Sequence, residues 1–399
     1  MLTMLSHTRT GIRDIPKGWE LVRLGEVISL EYGKGLSEKK RRVGPFPVIG
    51  SNGIIGFHSQ SLIQGPGIVV GRKGSIGAVS WVGLDFWPID TTYYVAVLRK
   101  DIDLKWLYFS LVKLNLPRLG QADVVPGLKR DLVHILMFPF PPLPEQKKIA
   151  EILSTVDQAI EKVGEAIEKT QRLKKGLMQE LLTKGIGHKE FKKALIGKLP
   201  KVWDVRKLAE VGNLQYGYTA SAIKQSEGVR FVRITDIDDN GKIKWAFVPS
   251  CKIDNRNYLR YKLNEGDVLF ARIGATTGKS ALIDKEVEGV YASYLIRFVR
   301  NVNTLDSRYL YFFTQSNNYW LQVHKNKEGQ LKKGINAKIL GSLSIPLPPL
   351  PEQQKIAEIL SSVDRRIDVL TNRRERLEKI KKGLMEDLLT GKKRVMLEA

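Results

Sequence analysis

The segment GATTGKS, from Gly274 to Ser280, has residue types that could bind a phosphate group. A phosphate-binding P-loop has four residues between its two glycines, whereas only three separate Gly274 from Gly278. The corresponding loop in the first half of the chain, GRKGSIG, contains no Gly-Lys-Ser. We therefore reject an ATPase. We predict a loop whose amides and basic side chains approach a phosphate group of a partner, with a plain strand-connecting turn as the alternative.

Other residue patterns that could carry catalysis or bind a metal are incomplete. Glu145 and Lys147 could form the carboxylate–lysine pair of a nuclease, but Gln354 replaces the lysine in a second copy of the same segment. Neither Asn-Pro-Pro-Tyr nor Asp-Pro-Pro-Tyr occurs, so the chain lacks an amino-methyltransferase loop. The single cysteine, Cys251, and five scattered histidines give no zinc-ligand spacing. We predict a non-catalytic chain that needs no metal or cofactor of its own.

The charge of the chain indicates an anionic partner. Among 399 residues, 65 Lys and Arg face 42 Asp and Glu, for a net charge of +23, and 43% are hydrophobic. This composition is typical of a globular protein of at least two domains that binds nucleic acid, although a generically basic protein is the alternative. The sequence has no signal peptide and no apolar run near the ~20 residues of a membrane span, which predicts a cytoplasmic protein.

The elements that position these residues occur twice. PPLPEQKKIAEILSTVD, from Pro141, recurs as PPLPEQQKIAEILSSVD from Pro348, and the same spacing continues into the KKGLM and LLT segments of both copies. Upstream, IPKGWELVRLGEV corresponds to LPKVWDVRKLAEV, EYGKG to QYGYT and VVGRKGSIGAV to LFARIGATTGKSAL, while the intervening residues diverge. A shared frame with two variable modules predicts recognition of two different targets, with drift after duplication as the alternative.

After each PPLP segment, apolar residues recur in steps of three and four, which predicts two long helices. Pro144 and Pro351 suit a first helical turn, and Gly185 and Gly391 are plausible helix ends. A helix of roughly 40 residues extends about 60 Å, so it needs a partner along its length. A pseudo-two-fold axis would pair the helices antiparallel and place the modules at opposite ends. The alternative is that each helix packs on its own module.

The modules contain short β-branched and aromatic runs separated by Gly and Pro, which predict strands and turns, with helices near 104–116 and 305–323. The predicted fold is α+β, with two mixed α/β target-recognition domains separated by two long helices that form an antiparallel coiled coil with internal pseudo-two-fold symmetry. The predicted division is 1–142 (first recognition domain), 143–185 (first long helix), 186–349 (second recognition domain), 350–391 (second long helix) and 392–399 (tail).

Two variable modules alternating with two near-identical helices, each introduced by PPLPEQ and carrying KKGLM and LLT, resemble the specificity subunits of Type I restriction-modification enzymes. The resemblance covers essentially the whole chain. It implies that each module recognises one half of a split site in double-stranded DNA, and that the coiled coil sets an unread spacer. It also implies that two modification (methyltransferase) subunits dock on the repeated regions and that restriction (endonuclease) subunits join them. The alternatives are a self-contained nucleic-acid enzyme and a purely structural coiled-coil adaptor.

Candidate DNA contacts lie in the glycine-rich loops and in the polar stretches before the last strand of each half, and exposed basic loops or plain turns are the alternative. They are Arg72, Lys73, Ser75, Gln121, Lys129, Arg130, Arg272, Thr276, Thr277, Lys279, Gln330, Lys332 and Lys333. Candidate contacts for the modification subunits, with helix capping and core packing as the alternative, are Glu145, Gln146, Leu177, Met178, Glu352, Gln353, Leu384 and Met385. The basic linker from His188 is predicted to be solvated or to bind phosphate loosely.

Overall fold

The computed structural model describes residues 15–120, 126–327 and 334–396, and the chain divides into two compact units. The first unit comprises the chain up to Glu165 together with the residues from Asn372 onward, and the second comprises Ala166–Thr371. Each unit therefore contains one recognition module, the beginning of one long helix and the end of the other.

The first unit is an α+β module followed by a long helix. Its strands are β1 (Glu20–Arg23), β2 (Ile28–Tyr32), β3 (Phe46–Gly50), β4 (Gly53–His58), β5 (Gly67–Gly71), β6 (Val79–Val82), β7 (Trp87–Pro88), β8 (Thr92–Val97) and β9 (Met137–Phe140). Its helices are α1 (Leu24–Val27), α2 (Leu104–Lys113), α3 (Arg130–His134) and the first part of α4 (Leu143–Leu181). An antiparallel sheet has the order β2-β8-β5-β6, a second sheet has the order β4-β3-β7, and β1 pairs with β9.

The second unit repeats this plan. Its strands are β10 (Phe191–Ala194), β11 (Gly197–Pro200), β12 (Asp204–Lys207), β13 (Gly212–Tyr216), β14 (Val229–Val232), β15 (Ser250–Cys251), β16 (Val268–Ala271), β17 (Ser280–Leu282), β18 (Gly289–Tyr291), β19 (Leu295–Arg300) and β20 (Ser344–Leu347). Its helices are α5 (Leu208–Val211), α6 (Asn255–Tyr261), α7 (Ser307–Phe313), α8 (Asn317–Lys327), α9 (Ala337–Ser342) and the first part of α10 (Leu350–Leu388). The order β13-β19-β16-β17 matches β2-β8-β5-β6, and the pair β12-β20 matches β1-β9.

Buried apolar runs form the central strands. Every residue of β5 (GIVVG) and of β16 (VLFA) is buried, as expected of strands covered on both faces. In the first unit α2 covers the sheet with Trp106 and Phe109, both fully buried. In the second, Tyr309 and Phe313 of α7 do the same. The modules therefore have packed cores.

The long helices pair antiparallel within each unit, as predicted. In the first unit, Leu153 of α4 and Met385 of α10 share one core, and Asp157 forms an ion pair of 2.6 Å with Lys381 further along. In the second unit, Leu181 shares a core with Ile356, and Lys174 lies 2.7 Å from Asp364. The beginning of each helix also packs on its own module, so the alternative arrangement describes part of each helix.

Several predicted boundaries differ from the structure. The long helices end at Leu181 and Leu388, before the left-handed Gly185 and Gly391. The helix predicted over 305–323 is two helices: α7 ends at Phe313, and the hydroxyl of Ser316 accepts the amide hydrogen of Tyr319 at the start of α8. The basic linker after His188 forms the β10–β11 hairpin, whose turn uses a left-handed Gly197.

Candidate nucleic-acid interface

The loop after β5 is held by backbone hydrogen bonds that fix Arg72. The amides of Arg72 and Lys73 donate to the carbonyl oxygen of Thr91, at 2.9 and 3.1 Å, and Gly77 donates to Gly71 at 2.8 Å. Gly77 has φ +71°, and a Cβ there would lie 2.4 Å from the nitrogen of Pro117. Only glycine satisfies both conditions, so the glycines of this loop have a geometric role.

The loop after β16 has the same bonds. The amide of Arg272 donates to Tyr294 at 3.1 Å, and Gly278, with φ +93°, donates to Ala271 at 2.8 Å. Strand β17 begins at Ser280, so GATTGKS joins two strands, whereas a P-loop opens a helix. This topology agrees with the rejection of a nucleotide-binding loop.

In each module, the predicted polar stretch before the last strand forms a backbone hydrogen bond with the loop arginine. The amide of Leu128 donates to the carbonyl of Arg72 at 2.9 Å, and the amide of Ile335 donates to that of Arg272 at 2.8 Å. Arg130 begins α3 just after Leu128, so it lies beside the first loop. Four further candidates lie outside the described residues: Gln121, Gln330, Lys332 and Lys333.

Each module places an exposed tyrosine beside its loop arginine. Tyr32 ends β2 with 51% of its surface exposed, and the guanidinium carbons of Arg72 and Arg130 lie 5.1 and 5.5 Å from its ring centre. Tyr216 ends β13 with 41% exposed, and Arg272 lies 4.9 Å from its ring centre. Such distances allow cation–π attraction. The sequence analysis did not select either tyrosine, although both occur in the matched segments EYGKG and QYGYT.

Tyr93 contacts both Tyr32 and the segment that precedes Arg130. Its hydroxyl donates to the carbonyl of Leu128 at 2.9 Å, and its ring lies 5.1 Å from that of Tyr32. Burial, with Tyr32 as a second cause, raises the pKa of Tyr93 to about 12, while the positive charges of Arg72 and Arg130 act to lower it. Tyr93 is therefore neutral at physiological pH and remains a hydrogen-bond donor.

The remaining loop candidates differ in accessibility. Lys73 is exposed, and Ser75 and Thr276 are partly exposed. Lys279 is 18% exposed and its ammonium lies 2.9 Å from the carboxylate of Asp239, which offsets its charge. Thr277 is fully buried and its hydroxyl donates to the carbonyl of Gly274 at 2.7 Å, which favours the alternative of a plain turn for this residue. Lys129 is exposed and precedes α3.

The glutamate and glutamine of the PLPEQ segment are buried at the start of α4. The indole nitrogen of Trp19 donates to Glu145 at 3.1 Å, and Arg394 also donates to this carboxylate, at 3.0 Å from Nε. The side chain of Gln146 accepts from the amide of Asp103 at 2.9 Å and donates to the carbonyl of Pro141 at 2.8 Å. These contacts join the helix to its module.

The second copy repeats these bonds. The indole nitrogen of Trp203 donates to Glu352 at 3.0 Å, and His188 Nε2 lies 2.8 Å from the same carboxylate. Gln353 accepts from the amide of Asp306 at 2.9 Å and donates to the carbonyl of Pro348 at 2.8 Å. Glu145, Gln146 and Gln353 are at most 3% exposed and are bonded within their own unit, which favours the alternative of helix capping and core packing for these three residues. Glu352 is only 13% exposed and has the same internal role.

The KKGLM segments pack inward with their last two residues. Met385 is buried, and Leu177, Met178 and Leu384 are partly buried against the cores of their units. The residue before each segment faces outward: Leu173 is 55% exposed and Ile380, its counterpart, is 51% exposed. The repeated segments therefore present an apolar residue at the same position of both helices.

Within 15–120, 126–327 and 334–396, no group of three or more His, Cys, Asp or Glu is placed to hold a metal ion. Across these same ranges, every helix is too short or too polar to cross a lipid bilayer.

Comparison with known proteins identifies the family. The family model described as the Type I restriction modification DNA specificity domain matches residues 16–169 and 200–379, one match for each repeat. The chain belongs to this family. The match begins and ends within the two repeats that the sequence and the structure define.

Relatives and solved structures agree with this membership. The chain is 31% identical to the Type I restriction enzyme MjaVIII specificity subunit of Methanocaldococcus jannaschii, over 96% of this chain and 95% of that protein. It is 22% identical to the EcoBI specificity subunit of Escherichia coli, over 88% and 81% of the two chains. The crystal structure of the Type I S subunit from M. genitalium aligns with a TM-score of 0.67 at 15% identity, covering 96% of this chain and 98% of that one, which shows a common fold.

Proposed function

We propose that this chain is the DNA-specificity subunit of a Type I restriction-modification enzyme. It recognises a two-part DNA site with an unread spacer and carries catalytic partners to that site. One observation carries the proposal: two units have the same strand order, the same arginine loop and the same helix start, while the segments between β2 and β5 and between β13 and β16 differ. A constant frame with variable insertions suits recognition of two different half-sites.

The net charge of +23 supports DNA as the ligand, because phosphates favour a basic surface. We assign base recognition to the modules within 1–142 and 186–349. The helices within 143–185 and 350–391 set the spacer, and 392–399 form a tail. We place the protein in the cytoplasm, where bacterial and archaeal DNA is accessible.

The partners follow from the repeat. A docking surface that occurs twice binds two copies of one partner, so we propose two modification subunits for each chain, joined by restriction subunits in the complete enzyme. Methylation and cleavage belong to these partners.

Methylated-adenine mapping tests the proposal. The chain is co-expressed with the modification subunit encoded beside it, and the host DNA is compared with DNA from cells that express the modification subunit alone. We expect a new split motif only in the presence of this chain. An intact complex, confirmed by co-purification, that adds no methylation would overturn the proposal in favour of a structural adaptor.

A further inference from the structure

The tyrosine–arginine pair is a feature that the two modules share within otherwise different surroundings. In the first module, Tyr32 is the last residue of β2 and Arg72 directly follows β5. In the second, Tyr216 is the last residue of β13 and Arg272 directly follows β16. Strands β2 and β5 are both antiparallel to β8, so they run in the same direction and their last residues lie at the same end of the sheet. The pairs therefore occupy equivalent places in the two modules.

Both arginines are held in place without an acidic partner. Their amides and carbonyls are fixed by the loop hydrogen bonds described above, and their guanidinium groups lie over the tyrosine rings. Neither Arg72 nor Arg272 forms an ion pair with any residue that the structure describes, and the Nε atom of each is buried without a hydrogen-bond partner there. The guanidinium of Arg272 also donates from Nη1 to the carbonyl of Ser293 at 3.2 Å, which positions it further without neutralising its charge. A positioned guanidinium without a counter-charge suits an anionic oxygen.

The neighbouring segments differ in length and sequence between the modules. The first module has the β3–β4 hairpin between β2 and β5, with Ile54 and Phe57 exposed by 61% and 53%. The second has β14 and β15 paired in the same sense, but a longer connection separates them and α6 is added. Residues that distinguish one half-site from the other belong to such differing segments, whereas a retained pair matches a component that both half-sites contain.

The component common to two different half-sites is the sugar–phosphate backbone. We propose that Tyr32–Arg72 and Tyr216–Arg272 bind backbone phosphates at equivalent places in the two half-sites, and that they contribute affinity without sequence preference. The inference rests on the proposed DNA-recognition function. Arg130 adds a second cation beside Tyr32, whereas its counterpart Ala337 donates its amide hydrogen to the Tyr216 hydroxyl at 2.9 Å, so the first pair carries more positive charge.

The experiment measures DNA affinity of the assembled complex with modification subunits as a function of salt. Two duplexes are used, one with the mapped split site and one with both half-sites scrambled. We expect Arg72→Ala and Arg272→Ala each to lower DNA affinity by a factor of roughly 3 to 10. For each variant, this factor should be similar for the specific and the scrambled duplex. Each should also reduce the slope of log affinity against log salt by about 0.9, the value for one phosphate contact. The methylated motif should stay unchanged.

Two further variants keep the result interpretable. Arg72→Lys and Arg272→Lys retain the charge, and we expect them to recover most of the salt slope. Arg172→Ala removes an exposed charge from α4, outside the modules, and should leave the slope unchanged.

Three results would count against the inference. Unchanged affinity and slope in both alanine variants would remove the pairs from the interface. A changed motif, or a loss confined to the specific duplex, would make them base contacts. If the wild-type assembly shows no salt-dependent DNA binding and produces no methylated motif, the proposed function itself is wrong. That outcome differs from a result in which the wild type binds and methylates DNA but the arginine variants behave like it.

Discussion

The ammonium group of Lys174 lies 2.7 Å from the carboxylate of Asp364, and joins the end of α4 to the beginning of α10 in the second unit. The same bond occurs in the first unit, where Lys381 lies 2.6 Å from Asp157. Lys174 and Asp364 are 19% and 20% exposed, and Lys174 also lies 5.5 Å from the ring centre of Phe312. Lys381 likewise lies 5.5 Å from the ring centre of Phe109, so the first lysine of each KKGLM segment links both helices to a module.

We expect Lys174→Met to destabilise the second unit by about 2 kcal/mol, because it leaves Asp364 mostly buried without its cation. The free energy of unfolding in urea measures the effect. Arg172→Met is the matched control, since Arg172 and Glu168 form an ion pair that is 77% and 70% exposed, and such pairs contribute about 0.3 kcal/mol. Equal losses in the two variants would show that the Lys174 bond has no special role.

The buried glutamine at the start of α10 gives a second test. Gln353→Leu keeps the approximate size of the side chain but leaves the amide of Asp306 and the carbonyls of Pro348 and Thr304 without their partner. We expect a loss of about 2–4 kcal/mol in the free energy of unfolding, because each unsatisfied buried group costs 1–3 kcal/mol. Gln354→Leu alters the exposed neighbour and should change stability by less than about 0.5 kcal/mol. Thermal unfolding of both variants would refute the assignment if Gln353→Leu were as stable as its control.

The repeated helices and their pairing were predictable from sequence because the information is local or periodic. Apolar steps of three and four define a helix, and two identical stripes at a constant spacing indicate two equivalent helices. The strands were also visible as apolar runs. The helix break at Ser316 was missed because the apolar pattern of Leu305–Val323 continues across it, although a capping serine precedes an asparagine there.

The partners of individual side chains were not predictable, because they lie far apart in the chain. Trp19 and Glu145 are 126 residues apart, and Trp203 and Glu352 are 149 apart. Glu145 was interpreted as a candidate contact for a modification subunit, with helix capping and core packing as the alternative, and the structure buries it under the indole. The usable signal was the recurrence of the same residue types in both halves, which also marks Tyr32 and Tyr216.

The stability of the first module should depend on pH through His134. Its Nε2 accepts the amide hydrogen of Leu30 at 3.2 Å, which ties α3 to β2, and burial lowers its pKa. The unfolded chain, with a pKa near ~6.5, then binds a proton more readily than the folded one, so stability is complete above that pH and is lost as the pH falls towards the folded-state value.

We expect His134→Gln to remove this part of the pH dependence in the range below about pH 6.5, the ordinary pKa of histidine. Unfolding midpoints measured across that range compare the variant with the wild type. His324→Gln is the control, because His324 is exposed on α8 and contacts only the ring of Trp320 among the interactions described for it. A wild-type profile that His134→Gln leaves unchanged would exclude His134 as the titrating group.

Assembly with the modification subunits should depend on Leu173 and Ile380, the exposed apolar residues at equivalent positions of α4 and α10. A charged residue there would oppose burial at an interface, and each helix presents one such site, so the two sites should fail independently. We expect Leu173→Asp or Ile380→Asp to reduce the complex from two modification subunits to one, and the double variant to bind none. Native mass spectrometry measures this stoichiometry directly.

Val369→Asp provides the control for that experiment, since Val369 is 58% exposed on α10 but its counterpart in α4 is the charged Lys162. An apolar residue without an equivalent in the other helix does not belong to a docking surface that occurs twice, so this variant should retain both modification subunits. Retention of both subunits by the Leu173/Ile380 double variant would instead place docking elsewhere on the repeated helices. Loss of both subunits in either single variant would mean that the two sites bind cooperatively, because independent surfaces each lose only their own partner.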